Sequence, residues 1–407
     1  MSLEPPRLHS IDALRGLTML AMVFVNDIAG AAGLPWWMYH YATTSPAPDY
    51  NGLTFVDWVF PAFLFVMGMS IPAALQARIE RGEPSWRIVL HVLARGGSLL
   101  LLGFFKINQT GSIAALGWGP GVWNVLMFLA AIATFTQLRN LKATIIVRAI
   151  GAAGLLALAF IHFRFVGPMT PKWWDILGII GWAYLAACMV WAATRNSPAG
   201  MTAAVAVLLY LFVLESLGVL AGPTILGVTL SEHLRYGSTI GTHAAIAVCG
   251  MILASRLVDA KADREHLKFF AAAAVAMLVA SVATYPKYGI NKDLATPAWA
   301  MLCAAATVLV FVPLWWWTDR RGGVGSSWLL RTAGRHALLI YLLQSMLYPL
   351  IQVMTDAFSG RLAALVSWYA KLGQIGDTAV YARGAGLAVV LTLFAWSISR
   401  AGARLKL

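Results

Sequence analysis

A short aromatic segment, Trp36-Trp37-Met38-Tyr39-His40-Tyr41, sets one imidazole among rings just beyond an apolar run. An imidazole in such a position can take a proton at physiological pH, and a histidine of this kind also serves as a hydrogen-bonding loop residue. Downstream, Thr54 and Asp57 have the spacing of a helix N-terminal cap, with Asp where Glu is usual, so a cap and a site role are both open for Asp57. Asp12, Arg15 and Asn26 form a polar stripe, because the step from Arg15 to Asn26 returns to nearly the same azimuth at about 100° per residue. Ionisable groups in a membrane cost several kcal/mol unless paired or hydrated, so the stripe should face a bundle interior or a watery cavity. An Asp12–Arg15 ion pair that only anchors the helix is the plainer alternative.

Further polar groups interrupt later apolar runs. Glu215, His243 and Gln344 are site candidates on that ground, with interhelical hydrogen bonding the commoner role for Gln344 and His243. Arg95 sits within an apolar run, and Arg331, Arg335 and His336 open another; a phosphate-bearing donor needs cations of this kind.

These residues must be carried by membrane helices. Of 407 residues 60% are hydrophobic and 12% charged, against about 25% charged in a soluble domain, too little to cover a soluble surface of this size. Twelve candidate spans follow at 11–31, 53–77, 87–106, 118–137, 143–163, 173–194, 200–221, 238–258, 267–285, 296–318, 328–353 and 378–400. The expected fold is an all-α polytopic transmembrane bundle of about 11–12 spans, one domain over residues 1–407. The net charge of +13 is spread in short clusters between apolar runs rather than over one face, which argues against nucleic acid. With the N-terminus inside, the basic clusters Arg78/Arg81/Arg87, Arg139/Lys142, Arg195, Lys261/Arg264/Lys268, Arg320/Arg321 and Arg404/Lys406 all fall on the inner side. Asp12, Arg15, Asn26 and Asp27 spoil the first run as a signal-peptide core, so it is read as the first helix. Cys188, Cys249 and Cys303 lie inside apolar runs without metal-ligand spacing, and no metal is expected.

The outer segments, 32–52, 164–172, 222–237 and 286–295, are rich in aromatic and polar groups, the last with Lys287, Asn291, Lys292 and Asp293. Such groups suit a sugar, whose CH faces meet rings and whose hydroxyls meet polar side chains. For Trp173 and Trp174, at a span boundary, interfacial anchoring is the favoured role.

Four segments together resemble the heparan-α-glucosaminide N-acetyltransferase family and its bacterial members. They are Ser10-Ile11-Asp12-Ala13-Leu14-Arg15-Gly16 leading to Phe24-Val25-Asn26; the run from Asn51-Gly52-Leu53-Thr54-Phe55-Val56-Asp57 to Gly68; Gly289-Ile290-Asn291-Lys292-Asp293-Leu294 before Trp299; and Gly334-Arg335-His336-Ala337-Leu338 with Tyr341. Eleven positions separate His40 from Asn51-Gly52, more than the family's usual few, and the run 176–184 lacks the family's Gln-Arg.

The resemblance implies transfer of acetyl from cytosolic acetyl-CoA to a glucosamine-like amine across the membrane. His40 matches the proposed catalytic histidine, Asp57 would orient it, and Asn26 and Lys292 would bind the oxyanion. Trp36, Trp37, Asn51, Asn291 and Lys292 would line the acceptor site, and Arg15, Arg95 and Arg335 would hold the CoA phosphates. The partners expected are the lipid bilayer of a bacterial inner membrane and a small-molecule or glycan substrate, and a homodimer is compatible with this reading. A transporter or flippase for a sugar or lipid-linked sugar, and an O-acyltransferase of an envelope glycan, are the alternatives.

The loop charges predict that cysteines introduced at Ser45 and Ser197 label differently with an impermeant thiol reagent in intact cells, with Ser45 alone reactive. Equal labelling overturns the orientation.

Overall fold

The computed structural model describes residues 8–31, 33–44, 51–172, 175–220, 224–225, 228–229, 234–257, 262–357, 364, 368–369, 372 and 377–406. Trp173, Trp174, Lys261 and Ser45 lie outside these. The described helices are α1 (His9–Ile28), α2 (Tyr41–Thr44), α3 (Phe55–Glu80), α4 (Ser85–Ile107), α5 (Val122–Phe135), α6 (Leu141–Phe165), α7 (Ile176–Thr194) and α8 (Pro198–Ser216). They continue with α9 (His243–Leu257), α10 (Asp263–Tyr288), α11 (Pro297–Trp315), α12 (Trp328–Arg335), α13 (Ala337–Ala357) and α14 (Asp377–Arg400). π-helical turns at Tyr236–Thr242 and Trp316–Arg320 extend α9 and α11. Strands are confined among described residues to two-residue pairs, β1 (Thr136–Gln137) with β4 (Arg404–Leu405) and β2 (Thr224–Ile225) with β3 (Val228–Thr229).

Ten described helices are long and apolar enough to cross a membrane, and α5 is a shorter apolar helix. The protein is a polytopic helical membrane bundle, as its composition requires. Each of the twelve expected spans contains a helix, with two differences. α1 has 20 residues but carries Asp12, Arg15 and Asp27, and it is not among the ten. The eleventh expected span, 328–353, is two helices, α12 and α13, separated at His336.

Contacts divide the chain into two compact units. The first comprises residues 1–18, 35–103 and 172–328. Its centre is the crossing of α3 with α9, where side chains give way to backbone: a Cβ at Gly68 would lie 1.8 Å from the Ala247 carbonyl oxygen, and one at Gly250 would lie 2.0 Å from that of Phe65. Small residues let membrane helices approach this closely, and packing replaces the hydrophobic effect that lipid cannot supply. Within this unit the loop contacts sort by end. Ser10 and His9 bind Asp319, and Arg320 binds Asp263, at one end; Gly52 binds Ile290, and Glu215 binds Gly237, at the other. That alternation is what successive membrane crossings produce.

The second unit comprises residues 19–34, 104–171 and 329–407. Here α5 packs on α6, and α13 on α5 and α14, while β4 pairs antiparallel with β1, so the C-terminal residues close back on the α5–α6 connection. The outward faces of α6 (Ile146, Leu156, Phe163) and, in the first unit, of α10 (Val275, Val279, Val282) are exposed and apolar, as surfaces that meet acyl chains should be.

Filling the crossing tests its importance. Gly68→Val and Gly250→Val should each destabilise the detergent-solubilised protein by about 1–3 kcal/mol or more, the scale of overpacking, read as a lowered thermal midpoint. Gly97→Val, on a position with open space, should leave it nearly unchanged.

Candidate functional site

Asp57 opens α3, in the first unit, and its carboxylate is 1% exposed. Thr54 precedes the helix in an extended conformation and forms a capping box with it. Asp57 Oδ2 accepts the backbone N–H of Thr54 at 3.3 Å and of Tyr41 at 2.9 Å. The Thr54 hydroxyl stands 3.0 Å from the same oxygen and 2.7 Å from the Tyr39 carbonyl, one of which takes its proton. Pro61, four residues on, has no amide proton for the Asp57 carbonyl, so this first turn relies on its side chains more than most.

The other carboxylate oxygen faces the expected base. His40 Nδ1 lies 2.7 Å from Asp57 Oδ1, and Lys292 Nζ lies 3.4 Å from that oxygen and 2.9 Å from Nδ1. A carboxylate on Nδ1–H fixes the tautomer and leaves the basic lone pair on Nε2, the arrangement that makes an imidazole a directed general base. The His40 side chain is 38% exposed, so the ring reaches the surface while its partner is buried.

Lys292 arrives on the loop between α10 and α11. Asn291, 2% exposed, accepts the Leu294 N–H at 2.9 Å on Oδ1 and donates its own N–H to Thr296 Oγ1 at 3.1 Å; Thr296 in turn caps α11. Burial pushes the Lys292 amine below the ordinary lysine range, opposed by the nearby Asp57 and Asp293 carboxylates, which favour the ammonium. Asn51 ties the two loops together: its Oδ1 accepts the Ile290 N–H at 2.8 Å, its Nδ2 donates to Tyr285 Oη at 3.1 Å, and Gly52 N–H donates to the Ile290 carbonyl at 2.9 Å. Asn51 and Asn291 thus build the site's frame. Trp36 and Trp37 lie on a 3₁₀ turn ahead of α2, both exposed, with Trp37 edge-on to Phe55 at 6.5 Å.

The remaining expected residues have contacts of their own. Asn26 belongs to the second unit, where its Nδ2 donates to Gln344 Oε1 at 3.3 Å, and Gln344 Nε2 donates to the Val23 carbonyl at 3.0 Å. In the first unit Arg15 bonds Asp12 at 3.2 Å and also the Ser70 hydroxyl, so the stripe on α1 is partly an internal ion pair. Arg95, also in the first unit, lies over the Tyr184 ring at 5.1 Å, and its buried Nε has no hydrogen-bond partner among the described residues. Arg335 is exposed in the second unit beside His336, whose imidazole is pushed down by burial and by Arg404 and Arg335. The three expected phosphate-binding arginines are therefore divided between units. Glu215 accepts the Gly237 N–H at 3.0 Å and caps the π-helical turn, and His243 bonds the Ser238 carbonyl between the rings of Phe60 and Trp299, each 5.8 Å away.

Sequence reasoning missed a second buried cluster. Asp27, read only as a charge that spoils a signal peptide, accepts Tyr369 Oη at 2.6 Å, Tyr348 Oη at 3.2 Å and Arg383 Nε at 2.8 Å; Arg383 also donates to the Asp27 carbonyl at 2.7 Å. An aspartate in an apolar helix was the available signal, since such a group is retained where a partner meets it. The partners lie more than 300 positions away, beyond the reach of local pattern. Arg383→Met should leave the Asp27 carboxylate buried without its cation and destabilise the protein by about 3–5 kcal/mol, read by thermal unfolding in detergent. Adding Asp27→Asn should recover much of that loss.

The family described as a domain of unknown function, DUF5009, matches residues 7–217, which includes His40, Asn51 and Asp57. The chain is also similar to heparan-alpha-glucosaminide N-acetyltransferase of Homo sapiens, 34% identical over 126 residues, covering 30% of this chain and 18% of the human protein. With the Mus musculus protein of the same name it is 32% identical over 136 residues, covering 32% of this chain and 19% of the mouse protein. The matched segments thus span about a fifth of the length of these relatives. The resemblance carried by the N-terminal motifs is borne out: the chain belongs to the DUF5009 family, the family of heparan-α-glucosaminide N-acetyltransferase.

Proposed function

We infer that this protein is a membrane N-acetyltransferase that transfers acetyl from acetyl-CoA to the amine of an amino sugar resembling terminal glucosamine. One acyltransferase domain over residues 1–407 carries the reaction in a bacterial inner membrane, with the N-terminus cytoplasmic. The observation that carries the reading is the His40–Asp57 contact at 2.7 Å, in a chain similar to proteins named for that transfer. Charged acetyl-CoA does not cross lipid, so the donor reaches the acceptor side through the bundle, and Arg15, Arg95 and Arg335 are the cations proposed for its phosphates.

In the reaction His40 Nε2 accepts a proton from the sugar amine as its nitrogen attacks the thioester carbonyl carbon. Asp57 holds Nδ1–H and stabilises the imidazolium that forms. The tetrahedral intermediate expels the CoA thiolate, the C–S bond breaks, and the imidazolium returns its proton to sulfur. Amine and thioester become amide and thiol, and His40 ends neutral. Trp36 and Trp37, exposed beside the dyad, present ring faces for the sugar.

Purified protein given labelled acetyl-CoA and a panel of glucosamine derivatives should release CoA in an acceptor-dependent manner and form an acetamide. Hydroxyl acetylation would mark an O-acyltransferase, and acceptor binding without CoA release would overturn the enzyme reading. His40→Ala should fold and bind CoA but lose about 10²-fold or more in kcat. Near-normal turnover in that variant removes His40 as the base.

A further inference from the structure

Three polar atoms crowd one point. His40 Nδ1 is 2.7 Å from Asp57 Oδ1, Lys292 Nζ is 3.4 Å from that oxygen, and Nζ is 2.9 Å from Nδ1. Nδ1 cannot donate to the carboxylate and accept from the ammonium at once. The shorter contact, to a carboxylate 1% exposed, takes the Nδ1 proton, and the ammonium then stands beside the ring as a charge. It approaches on the Nδ1 side, whereas the proton from the acceptor amine is taken at Nε2. This position suits a role on the ring rather than on the oxyanion.

Charge arithmetic says what that role is. A buried carboxylate against an imidazole favours imidazolium, and an imidazolium cannot act as a base. With Lys292 charged, the Asp57–Lys292 pair sums to zero, and a proton added to the ring would put a second cation 2.9 Å from the first. Other charged or titratable groups near the ring are few among the described residues. Tyr39 and Tyr41 flank it in sequence, Asp293 adjoins Lys292, and the buried Cys303 thiol on α11 feels both Asp57 and Lys292. Asp293 is exposed and faces the lysine, so it moderates the ammonium without replacing it.

We propose that Lys292 is a positioning residue, acting through His40, whose positive charge balances Asp57 and keeps the imidazole in its proton-accepting form. The proposal rests on the reading of His40 as a base, and it explains why the loop 289–296 is clamped by Asn51, Asn291 and Thr296 around a single cation.

The test reads protonation directly. Diethyl pyrocarbonate modifies unprotonated imidazole, and modification at His40 is followed by peptide mass spectrometry from pH 5 to 9 in the purified full-length protein. In Lys292→Met the midpoint should move up by about one pH unit or more, the scale for loss of a like charge at this distance. Lys292→Arg should stay close to the unmodified protein, and the acidic limb of the acetyl-transfer pH profile should shift in parallel with each midpoint. A midpoint that is unmoved or lowered in a folded Lys292→Met overturns the proposal. If Lys292→Met does not fold, Lys292→Gln and acetylation of purified protein by acetic anhydride neutralise the same charge and must give the same upward shift. Absence of acetyl transfer in the unmodified protein would sink the enzymatic reading while leaving the midpoint comparison intact.

Discussion

Burying the Asp57 carboxylate obliges the surrounding chain to supply its hydrogen bonds. At 1% exposure, at the first turn of a membrane helix, it has little water to draw on, and an unmet carboxylate there is among the most unfavourable groups a fold can hold. Its partners come from three segments: Thr54 at the helix cap, His40 and Tyr41 at the start of α2, and Lys292 between α10 and α11. Satisfying one anion therefore fixes two loops to one helix end, and the His40–Asp57 contact is part of that satisfaction. The same residue caps the helix through one oxygen and meets the His40 ring through the other.

Depth matters as much as contact. α3 must sit where Asp57 reaches the loops, and the close approach of Gly68 and Gly250 across the α3–α9 crossing holds it there. In lipid the apolar faces of α6 and α10 gain nothing by meeting one another, so backbone proximity and polar ties hold the bundle together. Asn51 makes such a tie between loops, and the Asp27–Arg383 cluster makes one between α1 and α14 in the second unit. In each a polar group that would be unfavourable alone becomes structural when its partner arrives.

The electrostatics of the site follow a related logic. Asp57 and Lys292 carry opposite charges 3.4 Å apart, with His40 Nδ1 2.7 Å from the first and 2.9 Å from the second, and the His40 side chain reaches the surface.

The sequence by itself determined the membrane class, the positions of the helices and the family, because apolar length and contiguous motif are local properties. Asn51-Gly52 through Asp57 could be read directly, as could the cap spacing of Thr54 and Asp57, since a helix terminus is built from neighbours in the chain. Only the tertiary structure decided what those residues do together. It joined Lys292 to a carboxylate more than 230 positions earlier, gave Asn51 and Asn291 framing duties, put Asn26 against Gln344 in the other unit, and matched Asp27 with Arg383. It also divided the eleventh span at His336. The physical reason is that hydropathy records the solvent each segment meets, and in lipid nearly every helix meets the same one. Which polar group meets which depends on helix rotation and close approach, and that information lies in packing between distant segments.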